Sequence, residues 1–170
     1  MTEPSETSSD PVSDPTSDPT SGTATDPTSG TARGRIVVGV DGSESSKQAL
    51  RWAARLAATD GSRIEAVTAW DYPPSFNAPV DVDWRPDVDA ETVLTETLDE
   101  VFGADRPEGL EPVVVHGPAR TELIEASRGA SLLVVGSRGH GGFAGLLLGS
   151  VSSACSEHAH CPVLVLHDHD

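Results

Sequence analysis

The stretch Leu132-Leu-Val-Val-Gly-Ser-Arg-Gly-His-Gly-Gly-Phe-Ala-Gly-Leu-Leu-Leu-Gly-Ser150 decides the architecture. It opens on Leu132–Ser137 (LLVVGS), whose unbroken apolar run leaves neither side of a strand polar. A strand of that kind is buried on both faces, as in a parallel sheet covered by helices. A glycine-rich loop follows, and then a helix expected from about Ser150 to His158. A strand, a loop and a helix in that order need a further parallel strand to return to. Val163–Leu166 (VLVL) supplies it.

The same alternation extends upstream. Arg35–Asp41 (RIVVGVD) is a β-branched run closed by Asp-Gly, hence the first strand and a turn. Leu50, Ala53, Ala54 and Ala57 then recur at helical spacing within Ser45–Thr59, and Ser45 with Gln48 three residues on resembles a capping box. Ile64–Trp70 reads as the second strand, Asp71–Asp87 as a long Pro- and Asp-rich loop, and Ala90–Phe102 as an amphipathic helix. Glu111–His116 is the third strand, and Ala119–Ser127 a short helix opened by Pro118. Five strands linked by helices predict an α/β domain: an open, doubly wound, five-stranded parallel sheet with helices on both faces.

In such a sheet, ligands bind outside the carboxyl ends of the strands, where the winding direction reverses. The loop after the fourth strand has the pattern G-x2-G-x9-G-S/T, with Gly136, Gly139, Gly149 and Ser150 at its fixed positions. Glycines let a backbone approach phosphate oxygens, and a helix beginning there presents unpaired N–H groups and a partial positive charge. Other phosphate loops fit worse. The G-x4-G-K-S/T pattern needs a lysine, and Lys47 is the last lysine of the chain. The G-x-G-x-x-G pattern is absent after the first strand, where the sequence is Gly39-Val-Asp41-Gly42. Asp41 itself is an acid at a strand's carboxyl end beside the expected crevice, suited to a ligand hydroxyl. The lesser alternative is a turn residue capping the first helix.

The segments IVVGVDGSESSKQALRWAARLA, AWDYPP, HGPA and VVGSRGHGGFAGLLLGSVSSACSEHAHCPVLVL, spread over residues 33–170, resemble the universal stress protein family in its ATP-binding subgroup. The glycine motif followed by Cys161-Pro-Val-Leu-Val165 is specific to that family. The resemblance implies strand order 3-2-1-4-5 and a homodimer formed through strand five. It implies ATP as ligand, accompanied or not by Mg2+, with Asp41 on the ribose and the backbone of Ala69 reading the adenine edge. Val135 would lie near the base, and Gly136, Gly139, Gly149, Ser150 and the Val151 amide would hold the phosphates. Arg138 and His140 would meet the β- or γ-phosphate, although the motif does not fix the residue at either position. The short apolar edge Val163–Leu166 independently suits a partner strand.

The implied function is that of an ATP-binding regulatory or stress-response protein rather than an enzyme. The loop region has no Walker lysine, no paired-acid metal site and no evident nucleophile with its base. Phosphoryl transfer relies on positioned cations, of which this region holds few. A slow Mg-dependent ATPase or phosphotransferase, and a dimeric scaffold without nucleotide, are the alternatives.

Residues 1–32 stand apart. Fifteen of these 32 residues are Ser or Thr, five are Pro and six are acidic, with Ser-Asp-Pro three times and DPTSGTA twice. With Met1, Val12, Ala24 and Ala32 as their apolar residues, they cannot offset the ordering entropy of about 1–2 kcal/mol per residue, so a disordered tail is expected. It reads as a solvating extension, or else as a phosphorylated or partner-binding arm. The rest, 33–170, carries 21 acids and 11 bases, within a whole-chain net charge of −16. Such a surface repels nucleic-acid backbones and anionic membranes. No secretory signal and no apolar run of membrane-spanning length is visible, so a soluble cytoplasmic protein is expected. Cys155, His158, His160 and Cys161 invite a zinc reading. Against it, Val151, Ala154, Cys155 and His158 would share the sheet-facing side of the last helix, and Cys161 precedes Pro162 at a strand entrance. The terminal HDHD, 167–170, reads as a frayed end.

Overall fold

Apolar β-branched residues on both faces of the first strand set the layering. In β1 (Arg35–Gly39) Val37 points to one side of the sheet, while Ile36 and Val38 point to the other. All three are at most 2% exposed. The computed structural model describes residues 34–72, 84–139 and 147–167. The expected disordered tail, residue 140 in the glycine loop, most of the expected 71–87 loop and all but His167 of the HDHD end lie outside the described residues.

The other elements are α1 (Glu44–Asp60), β2 (Arg63–Trp70), α2 (Pro86–Phe102), β3 (Leu110–His116), α3 (Ala119–Ala126), β4 (Leu132–Gly136), α4 (Ser150–His158) and β5 (Val163–Leu166). The strands are parallel in the order β3-β2-β1-β4-β5. One face packs Ile36, Val38, Ile64 and Val134 against Ala49, Leu50 and Ala53 of α1 and Leu94 and Leu98 of α2. The opposite face packs Val37, Val67, Leu133 and Val135 against Leu123 of α3 and Cys155 of α4. The doubly wound sheet and its strand order are therefore as the sequence implies.

Four local readings are corrected. β1 stops at Gly39: the N–H of Val40 still donates to the Val67 carbonyl at 2.9 Å, but the Val40 carbonyl is taken by the Thr68 hydroxyl at 2.9 Å, which ends the ladder. The cap of α1 is Ser43 rather than Ser45; its hydroxyl accepts from the Ser46 amide at 3.3 Å. α2 begins at Pro86, four residues before the expected start at Ala90. Proline is tolerated in a helix's first turn because its missing N–H would be unpaired there, and Asp87 and Asp89 in that turn complement the dipole. Finally, His158 does not share the sheet-facing side of α4: its side chain is 59% exposed, and Ser152 is buried instead.

Two basic side chains brace the fold. Arg35 reaches Glu65 at 2.7 Å and donates to the carbonyls of Ala126 and Arg128, closing the end of α3. Lys47 bridges Glu44 of its own helix and Glu100 of α2, both at 2.8 Å, and these contacts raise its pKa.

Candidate functional site

The crevice opens where the sheet winds in opposite directions from β1 and β4. After β1 the chain turns at Asp41, whose Oδ1 accepts from the Ser43 amide at 3.1 Å and the Ser43 hydroxyl at 2.5 Å. Asp41 therefore serves as the turn residue at the helix entrance. Its other oxygen, Oδ2, lies against Gly139, so closely that a β-carbon there would collide with it. Turn residue and crevice residue are the same side chain.

The loop after β4 is fastened to the loop after β1. The buried Ser45 hydroxyl donates to the Arg138 carbonyl, and the Ser43 hydroxyl reaches the same oxygen at 3.5 Å. Gly136 is needed for that approach, since a β-carbon would meet Ser45 Cβ at 2.7 Å and the Ser45 carbonyl carbon at 2.9 Å. Ser45 looked like a local helix cap in sequence; it is a tertiary tie across 93 residues.

α4 starts at this loop, and among the described residues nothing accepts from its first three amides. Its N-cap is Gly149, which offers no side-chain acceptor, and the first intrahelical bond runs from the Ser153 amide to the Gly149 carbonyl at 3.0 Å. The amides of Ser150, Val151 and Ser152 thus have no intrahelical acceptor, the condition for binding an anion. The helix start is anchored by the Ser137 carbonyl, which accepts from the Gly149 amide at 2.7 Å and the Ser152 hydroxyl at 2.9 Å.

The third contribution comes from β2. Successive strand residues turn their N–H and C=O alternately to the two neighbours. The Val67 carbonyl bonds on the β1 side and the Trp70 carbonyl on the β3 side, where the Gly117 amide donates at 2.8 Å. Ala69 therefore faces the β1 side, beyond the last residue of β1, and its N–H and C=O open onto the crevice.

These groups line one cavity of about 600 Å³, within the roughly 300–1,000 Å³ usual for small-molecule sites. Asp41, Ala69, Val135, Gly136, Arg138, Gly139, Gly149, Ser150 and Val151 all line it. His140 lies outside the described residues. Sequence reasoning missed the wall at the other end: Trp70, Asp71, Trp84 and Asp89. Among the described residues, Arg138 is the one basic side chain in the lining, outnumbered by the carboxylates of Asp41, Asp71 and Asp89.

The Cys/His run at the end of the chain is dispersed. Cys155 is buried, Cys161 is half-buried, and His158 and His160 are exposed. Among the described residues no three His, Cys, Asp or Glu side chains converge as metal ligands. Among them, too, no helix is long and apolar enough to cross a membrane.

A model of the universal stress protein family matches residues 32–167. The chain belongs to the universal stress protein family. It is 36% identical over 131 residues to universal stress protein Rv2624c of Mycobacterium tuberculosis (strain ATCC 25618 / H37Rv), covering 77% of this chain and 47% of that relative. It is 35% identical over 146 residues to universal stress protein Rv2623 of the same strain, covering 79% and 48%. The chain thus spans about half the length of these relatives. A crystal structure of a universal stress protein in complex with cAMP superposes with TM-score 0.60 at 31% identity, covering 81% of this chain and 98% of that one. Universal stress protein UspA from Lactobacillus plantarum superposes with TM-score 0.64 at 21% identity, covering 80% and 99%, a likeness of fold.

Proposed function

We propose that this universal stress protein domain binds an adenine nucleotide, ATP above all, and acts as a nucleotide-dependent regulatory module rather than as an enzyme. The observation that carries the reading is the convergence, in one crevice, of the uncapped start of α4 with Asp41 and the open backbone of Ala69. A donor and an acceptor side by side on Ala69 complement the N1 acceptor and amino donor of adenine. Asp41 Oδ2 suits a ribose hydroxyl, and the amides of Ser150–Ser152 with Arg138 suit phosphate oxygens. The cAMP complex of a relative 31% identical to this chain supports an adenine nucleotide.

A divalent cation fits the donor set without a dedicated protein cage. Mg2+ is commonly held largely by substrate phosphates, and with Asp41 Oδ1 on Ser43 and Oδ2 on the ribose the phosphates themselves would supply most of its ligands. Bound there, it would neutralise phosphate charge that one arginine cannot.

We take binding without rapid turnover as the reading, supported by how few cations the described lining holds. No lysine, histidine or cysteine is among the described residues that line the crevice, and Arg138 is their one cation. We place the regulatory output at β5, whose four residues are half-buried at the sheet edge and suit pairing with a second copy.

The test is direct. The full chain is purified gently and denatured in acid, and released nucleotide is identified chromatographically. Near-stoichiometric ATP is the expected result. Mostly ADP would favour a slow hydrolase or phosphotransferase, and absence of nucleotide followed by a flat ATP titration would refute the reading.

A further inference from the structure

Resting on the reading of the crevice as a nucleotide site, we infer that Trp84 supplies the stacking face for the nucleobase, and that Asp89 is the positioning residue that holds its ring. Trp84 stands immediately before α2, in a region whose sequence reads as loop. Its indole Nε1–H donates to Asp89 Oδ2 at 2.9 Å, and Tyr72 meets the ring nearly at right angles, with centroids 6.2 Å apart. Twice restrained, the indole is still 40% exposed, and it lines the crevice together with Asp89. A large aromatic ring immobilised at a cavity wall, with surface left uncovered by the described residues, offers that surface to a flat apolar partner.

The rings behind it are ordered as well. Tyr72 abuts Trp70 with centroids 5.5 Å apart at 82°, and Trp70 is backed by His116 at 4.3 Å. Trp70 follows Ala69 directly, so this wall begins next to the backbone groups that would meet the base edge. The charged groups of the lining also differ in sign from element to element. The loop after β4 and the start of α4 bring Arg138 and backbone amides, while the segments that carry the aromatic rings bring Asp71 and Asp89. Those two carboxylates repel a phosphate and admit an uncharged ring bearing an amino group. The ligand class is therefore a nucleotide with its purine on Trp84 and its phosphates at α4, and the reversed orientation is disfavoured.

The experiment measures ATP affinity by calorimetry on the full chain and its variants, with circular-dichroism melts to establish folding. Trp84→Ala should weaken ATP binding about 5- to 150-fold, the range for losing one base–aromatic stack. Trp84→Phe should restore most of the affinity. Asp89→Asn, whose side-chain oxygen still accepts from the indole, should bind more tightly than Asp89→Leu. Unchanged affinity in Trp84→Ala, or an equal loss in the Ala and Phe variants, would overturn the inference and leave the nucleotide site standing. No ATP binding by the unmodified chain would overturn the site reading itself, and the inference with it.

Discussion

Replacing Gly136 by alanine should damage the fold, whereas the same change at Gly149, thirteen residues on in the same motif, should not. At Gly136 the new methyl would lie 2.7 Å from Ser45 Cβ and 2.9 Å from the Ser45 carbonyl carbon. Ordinary carbon contacts lie at roughly 3.5–4.0 Å, so the first turn of α1 must retreat by nearly 1 Å. Ser45 is fully buried and its hydroxyl is committed to the Arg138 carbonyl, which leaves no soft direction for that movement. Overpacking of this kind costs about 1–3 kcal/mol. For a domain of this size that corresponds to a fall in melting temperature of roughly 3–15 °C. At Gly149 the nearest atoms are Ser137 O at 3.4 Å, Arg138 Cα at 3.6 Å and Ser152 Oγ at 3.7 Å, which a methyl nearly fits. Losing glycine at an N-cap should then cost about 0.5 kcal/mol, or roughly 2 °C. Thermal unfolding followed by far-ultraviolet circular dichroism separates the two variants. A Gly136→Ala protein melting within 1 °C of the parent, or a Gly149→Ala protein falling as far, would refute the close-approach argument.

Two further outcomes follow from named groups. Burial pushes the Cys155 thiol up to about 11 from an ordinary value of 9.0, so between those values the unfolded chain loses a proton that the folded chain keeps. Stability should therefore fall as pH rises from 9 to 11, by about 1–3 kcal/mol; urea titrations of the parent and Cys155→Ala should diverge in slope across that window, and parallel slopes would contradict it. Asp41→Asn keeps an Oδ1 acceptor for the Ser43 amide and should melt within about 2 °C of the parent, yet bind ATP about 10- to 100-fold more weakly for want of the charged oxygen; unchanged affinity in calorimetry would remove Asp41 from the site.

The layering was legible because each strand carries its burial in its own residues. Leu132–Val135 could only be a strand covered twice, and the glycine pattern placed the start of α4 at Ser150. What failed to show was whatever depends on distant partners. Ser45 has the neighbours of a helix cap, but its partner is the Arg138 carbonyl, and Ser43 takes the cap. His158 was expected on the sheet-facing side of α4, but it is Ser152, bonded to the Ser137 carbonyl, that is buried there while His158 is exposed. Pro86 read as loop because proline usually interrupts helices, yet at a first turn it begins one. Trp84 and Asp89 gave no signal as crevice residues, because only the return of α2 against β2 brings them to the wall opposite the glycine loop.

The glycines of this loop answer to different kinds of selection. Gly136 is held by Ser45 whether or not a ligand is present, so a descendant that abandoned nucleotides would still need it, whereas a β-carbon at Gly139 would meet the end of the Asp41 side chain, which can turn aside. Gly149 has room for a side chain, and folding alone would let it drift. Folding therefore defends the first glycine of the motif by itself, whereas the third would be defended by whatever anion the amides after it receive.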